Sequence, residues 1–294
     1  MEKTLKATGL VKAYGKKQVL HGIDIEFRPN CIYGLVGRNG AGKTTLLSCL
    51  TAQARANAGE ITYGGEPVWE NTKALEQICF AREMSQVLFS GPNTYKVKDY
   101  LYAAKVFYPY WDEQYAKKLI ELFGLDVKKR ISNLSKGMLS MVTIVLALAS
   151  KAPVTILDEP VAGLDVVARE QFYKLLLEDY AETQRTFIVS THILDEAASI
   201  FEEVVFLDDG KVLEQGNTDE LISQFHYISG KTEDVDGAVE GIQVLSQEVA
   251  GRSKAVIVRC DADHLQQVQQ NSAVDVSGMN LQKVFIALTN SKEG

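Results

Sequence analysis

Nine residues, "GRNGAGKTT" at 37–45, constrain the fold more than any other stretch of this 294-residue chain. They follow a short, continuously apolar run, "CIYGLV", and lead into "KTTLLSCL", which reads as a helix. Gly37, Gly42, Lys43 and Thr44 meet the spacing G-x-x-x-x-G-K-[ST], in which backbone N–H groups close around phosphates at a helix N-terminus. The spacing predicts a buried parallel strand, a tight turn and a helix, in that order. Gly37, Arg38, Asn39, Gly40, Ala41, Gly42, Lys43, Thr44 and Thr45 then form a nucleotide cradle. Lys43 reaches the β- and γ-phosphates, and the Thr44 hydroxyl binds Mg²⁺.

The remaining pattern extends that unit into an α/β domain. "QVLHGIDIEF" alternates Ile23, Ile25 and Phe27 with Asp24 and Glu26, as a half-buried strand at the edge of an antiparallel sheet does. "VTILD" (154–158), "TFIVS" (186–190) and "VVFL" (204–207) are short apolar runs separated by helical stretches such as 166–182, which predicts a mainly parallel sheet covered on both faces. Residues 91–150 hold no strand and read as an aromatic-rich helical insert. Within it, "ISNLSKGMLSMVTIVLALAS" is a helix capped by Asn133 or Ser135 and apolar all round, hence buried. "DDGKVLEQG" reads as a hairpin turning at Asp208–Gly210. From about residue 229 a separate block is expected: a polar connection, a strand "AVIVRC", and a last helix with Leu281, Val284, Phe285 and Leu288 on one face. The domains are therefore placed at 1–228 and 229–294.

Charge and composition narrow the function. A formal charge of −7 argues against broad binding to nucleic acid or to an anionic membrane surface. Cys31, Cys49, Cys79 and Cys260 show neither pairing nor metal-ligand spacing and fit reduced thiols in a cytosol. The N-terminus has no apolar core of the signal-peptide kind. The longest apolar run, inside 144–149, falls far short of the roughly 20 residues that span a bilayer. A role at a membrane would need another chain to cross it.

Four further positions carry chemistry. Asp158 in "TILDEP" ends a buried strand where open parallel sheets bind ligands, placed to hold Mg²⁺ directly or through water. Glu159 is placed to polarise an attacking water. His192 in "IVSTHILDEA" lies just past another apolar strand, either facing the γ-phosphate or serving as a structural histidine. Tyr14, at a hairpin tip in "VKAYGKKQV", either stacks on adenine or packs.

Taken together, residues 4 to about 225 resemble the ATP-binding subunit of a bacterial ABC transporter, and "FYPYWDEQYAKKLIELFGLDVKKRISNLSKGM" looks most like the YtrB-like branch, stand-alone subunits often encoded beside a GntR-type repressor. The matching elements stand in the family's order: Tyr14 as A-loop, Gly37–Thr45 as Walker A, "LSKGM" as signature, "VTILDEP" as Walker B, "AGLD" as D-loop and His192 as H-loop. The resemblance implies a P-loop NTPase fold, with a RecA-like core, an antiparallel β subdomain and a helical ABC subdomain, plus a small α+β C-terminal domain. It implies ATP and Mg²⁺ as cofactors, with Glu159, His192 and Lys43 as catalytic residues. It also implies that Ser135 and the N–H of Gly137 bind the γ-phosphate held by a facing subunit, and that Asp165 communicates across the interface. The expected partners are an integral-membrane permease and a second ATP-binding subunit, as homodimer or heterodimer. The expected place is cytoplasmic, peripheral on the inner face of the cell membrane, with export favoured over import. The permease would dock near Tyr100, Tyr102, Phe107, Tyr108 and Trp111, although core packing explains the same aromatics. The family's signature has Gly-Gly-Gln where Lys136, Gly137 and Met138 stand; Lys136 adds charge near the phosphates or points into solvent. The Q-loop ligand of Mg²⁺ and water is Gln86 or Glu83, with Gln86 favoured. Rival readings are a soluble ATPase acting on DNA or ribosomes, and a regulatory ATP switch without turnover.

Overall fold

In the computed structural model, which describes residues 3–84 and 95–290, the short apolar and alternating runs form three sheets. Strands β1 (Leu5–Tyr14) and β2 (Lys17–Phe27) are followed by β3 (Ile32–Val36), helix α1 (Lys43–Leu50), β4 (Ala58–Tyr63) and β5 (Glu66–Pro67). β2-β1-β4-β5 is an antiparallel sheet. β2 is its edge, and the alternation read from sequence turns Leu20, Ile23, Ile25 and Phe27 inward.

Helix α2 (Thr72–Leu75) leads into β6 (Ile78–Arg82), and three helices follow: α3 (Val97–Phe107), α4 (Glu113–Leu122) and α5 (Lys136–Ala149). Then come β7 (Val154–Asp158), α6 (Val166–Thr183), β8 (Thr186–Thr191), α7 (Leu194–Ala197), β9 (Glu203–Asp208) and β10 (Lys211–Asn217). The second sheet has the order β10-β9-β3-β8-β7-β6, and its five strands from β9 to β6 run parallel. β3 is buried at all five positions, as a parallel strand covered on both faces should be. Register pairs Arg82 with Asp158, Asp158 with Ser190, and Val36 with Thr191. The ends of β6, β7, β8 and β3 thus form one row, where ligands meet open parallel sheets.

Ser135, rather than Asn133, caps α5: its Oγ accepts the N–H of Met138 at 3.2 Å. From Leu139 to Ala149 every residue except Met141 is buried, and the helix packs on α4, β6 and β7. Its far end is also fixed. The buried Arg185 donates to the carbonyls of Leu148 at 3.0 Å and Ala147 at 3.5 Å, and pairs with buried Asp179 at 2.8 Å. A buried guanidinium needs such partners, because one left alone would cost several kcal/mol.

The chain divides into two compact units, Met1–Glu214 and Gln215–Gly294. The second holds α8 (Thr218–Ile222), β11 (Phe225–Lys231), α9 (Thr232–Ala238), β12 (Gln243–Ala250), β13 (Ser253–Arg259), α10 (Ala262–Gln269), β14 (Val274–Gly278) and α11 (Leu281–Asn290). Its sheet has the antiparallel order β12-β13-β11-β14, which makes β11 to β14 a split βαβ, ferredoxin-like arrangement. The polar connection expected from residue 229 is the second half of β11, which pairs with β13 and β14 on its two sides. Ser229, Gly230 and Lys231 hid that strand, and the break between units lies before it rather than at 228–229. In α11, Leu281, Val284 and Phe285 are buried and Leu288 is half-buried. Among the described residues no helix is long and apolar enough to cross a membrane.

His226 in β11 is buried, and its Nε2 has no hydrogen-bond partner. Burial lowers its pKa below the ordinary 6.5. The unfolded chain therefore takes up the proton more readily, and stability present above pH 6.5 is lost as the pH falls through and below that value. The urea midpoint of the full chain should drop between pH 7.5 and pH 5.5, and drop less in His226→Leu.

Candidate nucleotide site

The turn after β3 is shaped by contacts that only glycine permits. A Cβ on Gly37 would fall 2.5 Å from the carbonyl oxygen of Leu207. Gly40 and Gly42 hold φ values of +87° and +104°, and Gly42 is the N-cap of α1. The turn therefore presents its backbone amides at a helix N-terminus. Lys43 is buried beneath it; its Nζ donates to the carbonyl of Gly37 at 2.6 Å and of Arg38 at 3.4 Å, and lies 3.4 Å from Glu159 Oε1. A buried ammonium held by carbonyls and one carboxylate is an anion site in waiting. Arg38, Asn39 and Gly40 are exposed around the same turn, Ala41 is buried, and Thr45 is half-buried.

Asp158, at the end of β7, accepts from Thr44 Oγ1 at 2.8 Å and from Ser190 Oγ at 2.6 Å. Ser190 Oγ also accepts from the N–H of Glu159 at 3.1 Å. Glu159 has a φ of +51°, a left-handed conformation rare outside glycine and typical of functional positions. Its Oε2 lies 2.8 Å from His192 Nδ1. His192 and Lys43, remote from each other in the chain, thus share the Glu159 carboxylate, one on each oxygen. The donor set suits magnesium: a hydroxyl and a carboxylate are hard oxygen ligands. Among the described residues no group of three or more His, Cys, Asp or Glu is placed to hold a metal ion.

The other positions fall into two places. Tyr14 closes β1 and is 54% exposed, with Lys12 Nζ 4.8 Å from its ring centre. Asp165 caps α6 through the N–H of Ala168 at 2.8 Å. Ser135 and Gly137 stand at the N-terminus of α5, against the 162–165 turn, where a Cβ on Gly137 would lie 2.6 Å from Gly163 O. Lys136 is 61% exposed, and its Nζ pairs with Glu83 Oε1 at 2.8 Å. Gln86 lies outside the described residues. Of the aromatics, Tyr102 and Trp111 line a groove of about 360 Å³ between α3 and α4, and Phe107 is 78% exposed. Tyr100 and Tyr108 are half-buried; burial pushes the Tyr100 phenol up to about 12 and raises that of Tyr108.

Sequence reasoning passed over Ser190. The available signal was a polar Ser-Thr pair closing the apolar run "TFIV", two residues before His192.

The chain is similar to several known proteins. The family model described as ABC transporter matches residues 20–162. The ABC transporter ATP-binding protein YtrB of Bacillus subtilis is 27% identical over 288 residues, covering 96% of this chain and 97% of that protein. The bacitracin transport ATP-binding protein BcrA of Bacillus licheniformis is 31% identical over 225 residues, 75% of this chain and 72% of its own length. A solved ATP-binding subunit of an ABC transporter superposes with a TM-score of 0.62 at 26% identity, over 75% of this chain and 92% of that one.

Ser190→Ala removes both hydroxyl bonds beneath the carboxylates. Because groups that orient a ligand set typically count for about tenfold to a hundredfold, phosphate release from MgATP should slow by about that factor, and the melting temperature should fall by a few degrees because the buried Asp158 carboxylate loses one of its two donors.

Proposed function

This chain belongs to the family of ABC transporter ATP-binding proteins, and from that premise we propose that it works in a dimer whose two ATP sites are each shared between subunits. As a member of the family it binds and hydrolyses ATP for a transport system. In the proposed arrangement the 37–45 turn, Lys43 and Thr44 of one subunit hold the phosphates, and Tyr14 stacks on the adenine. Ser135 and Gly137 of the facing subunit, backed by the N-terminal dipole of α5, close over the γ-phosphate. Thr44 and Asp158 would hold Mg²⁺, which supplies neutralising charge at the β- and γ-oxygens.

The observation that carries this reading is the triangle of Lys43, Glu159 and His192. Glu159 is tied on one oxygen to the lysine and on the other to the histidine. A phosphate that takes Lys43 frees the first oxygen, and His192 keeps the second in place. Glu159 is then a general base aimed at a water in line with the γ-phosphate. Asp165, at the start of α6 beside the 162–165 turn, would carry the state of one site to the other. That Glu159 and His192 are both present and joined favours turnover over a silent ATP switch.

In the proposed arrangement the chain sits on the inner face of a bacterial membrane beside a permease. A cytoplasmic segment of that permease is proposed to dock at the groove of Tyr102 and Trp111. The bacitracin transport named for BcrA supports a small-molecule system, and the resemblance of the C-terminal block to the tails of exporter-type subunits favours export. Roles on DNA or ribosomes fit less well with the net charge of −7 and the single nucleotide-binding turn.

Purified protein should hydrolyse MgATP, with Glu159→Gln slower by about a hundredfold to ten-thousandfold, the usual loss of a general base. Tyr14→Ala should raise the KM for ATP about tenfold, since stacking one base is worth about 1–3 kcal/mol. Full activity in Glu159→Gln would contradict the reading.

A further inference from the structure

Lys136 is the first residue of α5, where free helix N–H groups make a cation unwelcome. Two contacts of its own, and one made a turn further along the helix, account for its position. Its Nζ lies 2.8 Å from Glu83 Oε1. Its stem crosses Gly163, where an added Cβ would fall 2.8 Å from Lys136 Cγ. One turn further on, Ser140 Oγ donates to the carbonyl of Ala162 at 2.6 Å, so α5 is clasped to the 162–165 turn at two levels. Glu83 in turn follows Arg82, the residue of β6 that pairs with Asp158. It stands one residue beyond the row of strand ends that carries the carboxylates. Lys136 therefore ties together three segments, 82–84, 135–137 and 162–165, that are remote in sequence.

We propose that Glu83 is a positioning residue that acts through Lys136. The ion pair sets the N-terminus of α5, before the subunits meet, in the orientation in which Ser135 and Gly137 face the nucleotide of a second copy of this chain. The inference rests on the shared-site reading above. Ser140 and Gly163 hold the helix against one neighbouring turn; the Glu83 tether holds it toward β6, so its end is fixed from two directions. A surface ordered in advance loses less conformational freedom on association and binds more tightly. The two side chains are 42% and 61% exposed, so one pair is modest by itself, but a symmetric dimer contains two.

The test uses the full chain carrying Glu159→Gln, which keeps ATP bound, with dimer formation followed by sedimentation velocity in saturating MgATP. Adding Glu83→Gln or Lys136→Gln should each weaken the dimer about fivefold. Both together should weaken it no more than either alone, because they remove the same interaction. The reversal Glu83→Lys with Lys136→Glu should regain affinity that either single reversal loses, which guards against a neutral variant that misfolds. Additive losses, or a reversal that restores nothing, would overturn the proposal while leaving the shared site intact. A parent Glu159→Gln chain that stays monomeric with ATP would overturn the homodimeric shared site and this inference with it.

Discussion

The carboxylate of Asp158 accepts two hydroxyl hydrogen bonds at once, one from Thr44 on α1 and one from Ser190 on β8. It is 3% exposed, and a buried carboxylate without donors would cost several kcal/mol. Meeting that demand locks the ends of β7 and β8 and the start of α1 together. The rest of the site follows. Ser190 receives the N–H of Glu159, which helps hold the left-handed turn; that turn sends the Glu159 side chain to His192 and Lys43. Continuous burial of β3, β7 and β8 supplies the rigid sheet on which these few polar bonds can be placed accurately.

A second constraint governs α5. A helix buried along nearly its whole length cannot rotate or slide without disturbing the core, and Arg185 anchors its last carbonyls. That burial begins at Leu139; the first turn, with exposed Ser135 and Lys136 and half-buried Gly137, is held instead by the contacts of Ser140, Gly163 and Glu83. The same chain offers two prepared surfaces, one built around Lys43 and one around Ser135. The proposed dimer brings one of each together.

Local features of this site are legible in the sequence because they depend on near neighbours. The 37–45 spacing, the apolar β3 and the Ser-Lys-Gly lead into an apolar helix each state their geometry within about ten residues. Glu159 and His192 can be picked out individually, but that they meet depends on the register of β7 against β8. Ser190 escaped for that reason, since a serine on an apolar strand declares no partner 32 residues away. The Glu83–Lys136 pair, separated by more than fifty residues, required the fold. In the C-terminal unit the segment from residue 229, the second half of β11, reads as a polar connection, because its ladder partners β13 and β14 lie later in the chain.

The claim that one ATP site is built from two subunits is tested most directly by complementation. Lys43→Ala cripples the phosphate turn and keeps the α5 surface; Ser135→Arg blocks the α5 surface and keeps the phosphate turn. Each variant alone should be nearly inactive in MgATP hydrolysis. Mixed in equal amounts, they form dimers with one complete site, and activity should rise well above that of either alone. A mixture no more active than its components, or substantial activity in Ser135→Arg by itself, would contradict the shared site.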